Sequence, residues 1–162
     1  MIRIKLHTKI QAPIERIFNL ARSIDFHKVS MNETKEEVIA GRVKGLIELG
    51  ESVTWRAKHF GIYQKLKVKI VDFKRNEMFK DVMIQGAFKK MEHIHRFRNE
   101  NGITIMIDEF EFESPFGFLG KIVDNFVLKN YMTQLLEKRN EELKLAAEGN
   151  GWKKILNTKY IF

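Results

Sequence analysis

Asn101-Gly102 stands between two alternating runs, and no other feature restricts the fold of this chain so tightly. An Asn-Gly pair is the strongest short-range signal of a tight β-hairpin, because both residues tolerate positive φ. Before it, Met91, His93, His95 and Phe97 alternate with Glu92, Ile94, Arg96 and Arg98. After it, Thr104, Met106, Asp108, Phe110 and Phe112 alternate with Ile103, Ile105, Ile107, Glu109, Glu111 and Glu113. Successive strand side chains point to opposite faces. The acidic run marks the solvent face, so Met106, Asp108, Phe110 and Phe112 point inward.

Two registers are open. A two-residue loop sets His95 opposite Asp108, Phe97 opposite Met106 and His93 opposite Phe110. A four-residue loop sets His93 opposite Asp108. Both keep the two histidines and Asp108 on one face. Three ionisable groups among Met and Phe form either a polar knot that satisfies itself in a core or the polar end of a pocket. Buried polar groups need partners, and a wet cavity supplies them.

The rest of the chain reads as one domain. Its 162 residues suffice for a real core, and 44% apolar with 31% charged residues is an ordinary globular balance. Cysteine is absent, which excludes disulfides and thiol chemistry. The first residues alternate as a strand and not as a signal peptide, so a cytoplasmic location is expected. No apolar run is long enough for stable membrane insertion. The net charge is +8, but many cations sit on alternate positions, as at Lys65, Lys67 and Lys69 or Arg3, Lys5 and Lys9. That is the solvent face of a half-exposed sheet, with no aromatics interleaved for nucleic acid, and no nucleic-acid partner is expected.

Met1 to Gln11 reads as the first strand. Ala12-Pro13 opens a helix carrying Ile14, Ile17, Phe18 and Ala21 on one face, and a second short helix covers Ile24 to Val29 with Ser23 or Asp25 as cap. Strands are expected at Lys35 to Ala40, within Ile47 to Phe60, at Ile62 to Asp72 and at Met78 to Ile84, ahead of the hairpin. From Leu119 to Ala147 the period is helical, with Glu137, Arg139, Glu141, Glu142 and Lys144 thickening its polar face. The fold class is therefore α+β: a seven-stranded antiparallel sheet, two short helices after its first strand, and one long C-terminal helix as cover. Residues 1–148 form the domain. Residues 149–162, with Trp152, Ile155, Leu156, Tyr160 and Phe162, form an extension expected to dock on the body or on a second copy in a homodimer.

Local runs carry a resemblance. They are Asp25-Phe26-His27, Gly50-Glu51 with Trp55, His59-Phe60-Gly61, Phe79-Lys80-Asp81, Gly86-Ala87-Phe88, His93-Ile94-His95-Arg96-Phe97, Gly102-Ile103-Thr104, Asp108, and Pro115 with Gly117. In number and order they resemble the START and Bet v 1-like (SRPBCC) superfamily, and its polyketide cyclase/dehydrase-like and cell-division-inhibitor-like bacterial branch in particular. That branch usually has Gly-Pro-Phe where this chain has Gly86-Ala87-Phe88. The resemblance implies a helix-grip fold, a curved sheet wrapped around the C-terminal helix. It also implies a deep cavity for lipids, sterols, polyketides or other hydrophobic molecules, with cyclases or aromatases a minority.

The expected function is binding or transport of such a molecule. The alternative is an enzyme of cyclase, dehydratase or isomerase type, with His95 and Asp108 as acid-base pair and His93 as a further candidate. The expected ligand-binding residues are Trp55, His59, Leu66, Phe79, Met91, His93, His95, Phe97, Met106, Asp108, Phe110, Val123 and Phe126. The His-x-His pair could take a metal with His59 or Asp108, but the apolar surround argues against it. No metal and no cofactor are expected.

Overall fold

The structure is a computed structural model describing residues 1–114 and 127–156. Alternation over the first residues produces β1 (Ile2–Ile10). Pro13 then starts α1 (Ile14–Ala21), its carbonyl accepting from the N–H groups of Arg16 and Ile17. The next helix, α2 (Ile24–Ser30), is capped by Ser23, whose Oγ accepts from the Phe26 N–H at 3.1 Å. Asp25, the other cap candidate, instead accepts from the Gly45 N–H at 2.8 Å.

Five further strands lead into the hairpin partner: β2 (Glu37–Gly41), β3 (Ser52–His59), β4 (Ile62–Lys74), β5 (Met78–Gln85) and β6 (Lys90–Glu100). The seventh is β7 (Ile103–Glu113), and α3 (Lys129–Glu148) and α4 (Gly151–Ile155) complete the described elements. β2 begins later than its alternation suggests, because Lys35 adopts a left-handed conformation at φ 50° after a short 3-10 turn. β4 runs longer, and a register shift between Ile70 and Asp72 brings Phe73 towards the core.

One antiparallel sheet contains all seven strands in the order β1-β7-β6-β5-β4-β3-β2. The hairpin has the two-residue register: Glu100 pairs with Ile103, and both central residues have positive φ, 52° at Asn101 and 84° at Gly102. α3 crosses β1 and meets α1 and α2. α1 plugs one end of the sheet, where the fully buried Phe18 ring meets Phe73, Phe79 and Phe97 edge-on at 5.4, 5.8 and 5.3 Å. Such contacts add about 0.5–1.5 kcal/mol each beyond area burial.

On the outer face the cations meet carboxylates across strands: Arg3 with Glu111 and Lys5 with Glu109 at 2.7 Å, Arg96 with Glu109 at 3.2 Å. Among the described residues no helix is long and apolar enough to cross a membrane.

Arg139 departs from its expected place on the polar face of the long helix. It is buried, with Nη2 donating to the Ala21 carbonyl at 2.9 Å. The end of α1 leaves that carbonyl without a partner inside its own helix, and α3 docks close enough to supply one. Leu119 to Phe126, and with them Val123, lie outside the described residues, as do Tyr160 and Phe162.

Candidate functional site

A cavity of about 480 Å³ lies between the inner face of the sheet and α3. Its walls are mostly apolar, among them Ile24, Val53, Trp55, Leu66, Met91, Phe110, Met132 and Leu136. Two clusters of polar groups stand along it.

The first is built by the hairpin. Its register sets His95 against Asp108, and β5 lies on the other side of β6, with Phe79 opposite His95 and Asp81 opposite His93. One Asp108 oxygen serves both histidines. Oδ1 lies 2.9 Å from His93 Nε2 in a hydrogen bond and 2.8 Å from His95 Nδ1. The second contact is a close ion-pair distance but lies off the direction in which a ring N–H donates. Oδ2 accepts from Asn140 Nδ2 of α3 at 2.7 Å, and Arg139 Nη1 stands 4.0 Å from Oδ1. His95 Nε2 faces Asp81 Oδ1 at 3.4 Å. The His95 ring stacks on Phe79 at 4.2 Å and lies 3.8 Å from that of His93.

Burial and partners compete in this cluster. Burial opposes the charge of Asp108, yet the hydrogen bond from His93 and the close approach of His95 outweigh it and hold the carboxyl well below its ordinary range. Burial likewise opposes ionisation of Asp81, and the contacts with His95 and His93 bring it below the usual value. For His95, burial disfavours the imidazolium, but the two aspartates win and raise its pKa. His93 goes the other way: burial, then the neighbouring charge of His95, lower it against the pull of Asp108.

The second group lies nearer β3. His59 Nδ1 is 2.8 Å from the Tyr131 hydroxyl, and His27 Nε2 is 2.6 Å from Glu36 Oε2. Thr34 Oγ1 donates to Glu36 Oε1 at 3.2 Å. The His27 ring lies over Trp55 at 4.2 Å. Burial opposes the charge of Glu36, and His27 more than compensates, so its pKa falls. Burial lowers that of His59.

Of the residues expected to bind ligand, Trp55, His59, Leu66, Phe79, Met91, His93, His95 and Phe110 line the cavity. Phe97, Met106 and Asp108 do not. Phe97 and Met106 sit closer to the Asn101-Gly102 turn, where Phe18 fills the space, and both are buried core. Asp108 does not point into the cavity: it is fully buried behind the two histidines and under Asn140. Val123 and Phe126 lie outside the described residues.

Sequence reasoning missed Asp81, Glu36, His27, Tyr131 and Arg139 as cavity residues, and Asn140 behind them. Asp81 had a readable signal, since it alternates in step with the inward Phe79. Among the described residues, buried Arg139 Nη1 and Asn140 Oδ1 have no hydrogen-bond partner.

No protein-family model matches the chain, and no curated protein matches it in sequence. Solved structures do match. The protein TTHA0849 of Thermus thermophilus superposes with a TM-score of 0.70 at 21% identity, over 91% of this chain and 100% of that one. The major latex-like protein 151 of Panax ginseng gives 0.65 at 11% identity, over 91% and 97%. The Aha1 dimer of Colwellia psychrerythraea gives 0.65 at 12%, also over 91% and 97%. The fold is the Bet v 1-like helix grip.

In this helix grip the sheet supplies the aspartates and histidines of the first polar group, and α3 supplies Arg139, Asn140 and Tyr131. A helix docked as one body thus contributes to both polar groups.

Proposed function

We propose that the chain binds a small hydrophobic molecule of lipid, sterol, polyketide-like or aromatic character in this cavity. The observation that carries the reading is a space of about 480 Å³ with apolar walls and convergent polar groups at its edges. Ligand pockets usually hold about 300–1,000 Å³ and combine apolar lining with a few placed polar groups. The apolar body of the ligand rests on Trp55, Leu66, Met91 and Met132. Its oxygen atoms meet His93, His95 and Asp81 at one side, or His59 and Tyr131 at the other. Titration with the fluorescent probe 1-anilinonaphthalene-8-sulfonate tests this. Saturable binding of one probe per chain, lost in Met132→Trp with folding intact, is the expected outcome. Binding unaffected by Met132→Trp places the probe elsewhere and contradicts the reading.

A second reading, an enzyme of cyclase, dehydratase or isomerase type, rests on His95 standing at the wall between Asp81 and Asp108. His95 then moves the proton, and Asp108 acts as a positioning residue that holds the ring. Turnover of the bound compound, abolished in His95→Gln while binding persists, distinguishes this from carriage.

We also propose that residues 149–162 are a docking extension of the 1–148 domain. Leu156 is buried, and the Arg16 guanidinium lies 4.2 Å from the Trp152 ring. The Colwellia protein is described as a dimer. Association of this chain into a homodimer is read from light scattering.

A further inference from the structure

We propose that Asp81, His93 and His95 form a binding site for a divalent first-row transition-metal ion at the cavity wall. One ring nitrogen of each histidine and a carboxylate oxygen of Asp81 all lie within 4.8 Å of one another. A metal bound at about 2.0–2.2 Å from nitrogen and oxygen ligands sets adjacent ligand atoms roughly 3–3.5 Å apart. The 3.4 Å between His95 Nε2 and Asp81 Oδ1 falls in that interval. The three groups stand on paired strands, β5 and β6, so the backbone already holds them in register. Two imidazoles and one carboxylate are a donor set suited to such ions.

Asp108 supplies the support that a metal site needs. Histidines that ligate metals almost always donate their other ring N–H to a carboxylate or carbonyl, which fixes the tautomer. Here one buried carboxylate contacts a nitrogen of each ring: Nε2 of His93 at 2.9 Å and Nδ1 of His95 at 2.8 Å. A neutral imidazole keeps one lone pair, so each ring can offer one donor atom, and Asp81 adds a third beside them. Three converging electron-pair donors repel unless a proton or a cation lies among them. The fixed charges agree. Asp81 and Asp108 bring two negative charges and Arg139 one positive, which leaves one net negative charge around the two rings.

The ligands all line the cavity, and Asp108 lies behind them. Three protein ligands leave further positions open towards the cavity, where an oxygen of an occupant can complete the shell. This is why a site at the wall differs from the site with His59 or Asp108 that the sequence offers. His59 is engaged with Tyr131, and Asp108 is the support and not the ligand. The inference holds whatever the apolar part of the cavity binds.

The test uses tag-free full-length chain, dialysed against a chelator and titrated with Co²⁺, with Zn²⁺ as competitor. The expected result is one saturable Co²⁺ per chain with visible d–d absorption, displaced by Zn²⁺. Asp81→Asn weakens binding at least tenfold and His95→Gln abolishes it, whereas His7→Gln, an exposed histidine on β1, leaves it unchanged. No saturable binding up to millimolar Co²⁺ overturns the proposal, and so does affinity within twofold of the parent in Asp81→Asn. Side-chain ¹⁵N resonances of the unmodified protein give an independent readout should a variant fail to fold. Zn²⁺ must shift those of His93 and His95, and unmoved resonances at saturating Zn²⁺ reject the site.

Discussion

Asn140 on α3 donates from Nδ2 to Asp108 Oδ2 on β7 at 2.7 Å, tying the C-terminal helix to the central hairpin through two buried side chains. The same Nδ2 lies 3.2 Å from Thr8 Oγ1 on β1, so one amide spans helix and two strands. Replacing it by Leu removes the donor and leaves a buried carboxylate oxygen short of a partner. That omission costs about 1–3 kcal/mol, more for a charged group. Urea denaturation of Asn140→Leu should show a loss of at least that size. A change below 0.5 kcal/mol, on the scale of ordinary surface substitutions, means Asp108 finds water or another donor and the tie is dispensable.

Two glycines with positive φ separate backbone strain from steric contact. A Cβ at Gly102, φ 84°, meets nothing within 4 Å, so Gly102→Ala is charged only the left-handed penalty of about 1–2 kcal/mol. A Cβ at Gly41, φ 81°, comes within 2.2 Å of the Ser52 carbonyl oxygen. Gly41→Ala should therefore lower the melting temperature clearly more than Gly102→Ala. Equal losses contradict the close pairing of β2 with β3.

Glu36 gives the pH dependence its sign. His27 holds its carboxyl below the ordinary value despite burial, so the unfolded chain binds this proton more readily than the folded one. Its stabilising contribution is complete above the ordinary glutamate pKa and is lost as the pH falls below it towards the folded value. The melting temperature of the parent should exceed that of Glu36→Gln near neutrality, and the gap should close on acidification below about pH 4.5. A gap that widens in acid contradicts the sign.

Leu156 is buried against the body although it follows the Gly149-Asn150-Gly151 break. Truncating such a side chain costs about 2–5 kcal/mol. Leu156→Ala, followed by thermal melting, should register that loss. A melting temperature within a degree of the parent shows that the extension does not dock in solution.

Much of this arrangement was legible because hairpin chemistry is local. Asn101-Gly102 decides the register, and strand alternation, in either register, puts His93, His95 and Asp108 on one face. Of the two registers the sequence left open, the shorter loop is the one adopted, yet the Asp108 oxygen reaches across to His93 as well as to its direct neighbour His95. Asp81 escaped because the loop between β5 and β6, unlike Asn101-Gly102, carries no two-residue turn that fixes pairing. Only the folded sheet sets Asp81 beside His93. Arg139 and Asn140 escaped for a different reason. Among glutamates and lysines Arg139 reads as solvent face by its charge, although it and Asn140 stand three and four residues after Leu136, on the stripe that Leu143 and Ala147 continue. Alternation separates inside from outside but not wall from core, so it placed Phe97 and Met106 at the cavity when Phe18 fills that end.

Native mass spectrometry of protein purified from its own host tests most directly the proposal that the cavity holds a small hydrophobic molecule. The expected result is one non-covalent adduct per chain, extractable into organic solvent and absent from Met132→Trp prepared in parallel. A chain carrying no adduct in gentle ionisation, or an equal adduct on Met132→Trp, contradicts it.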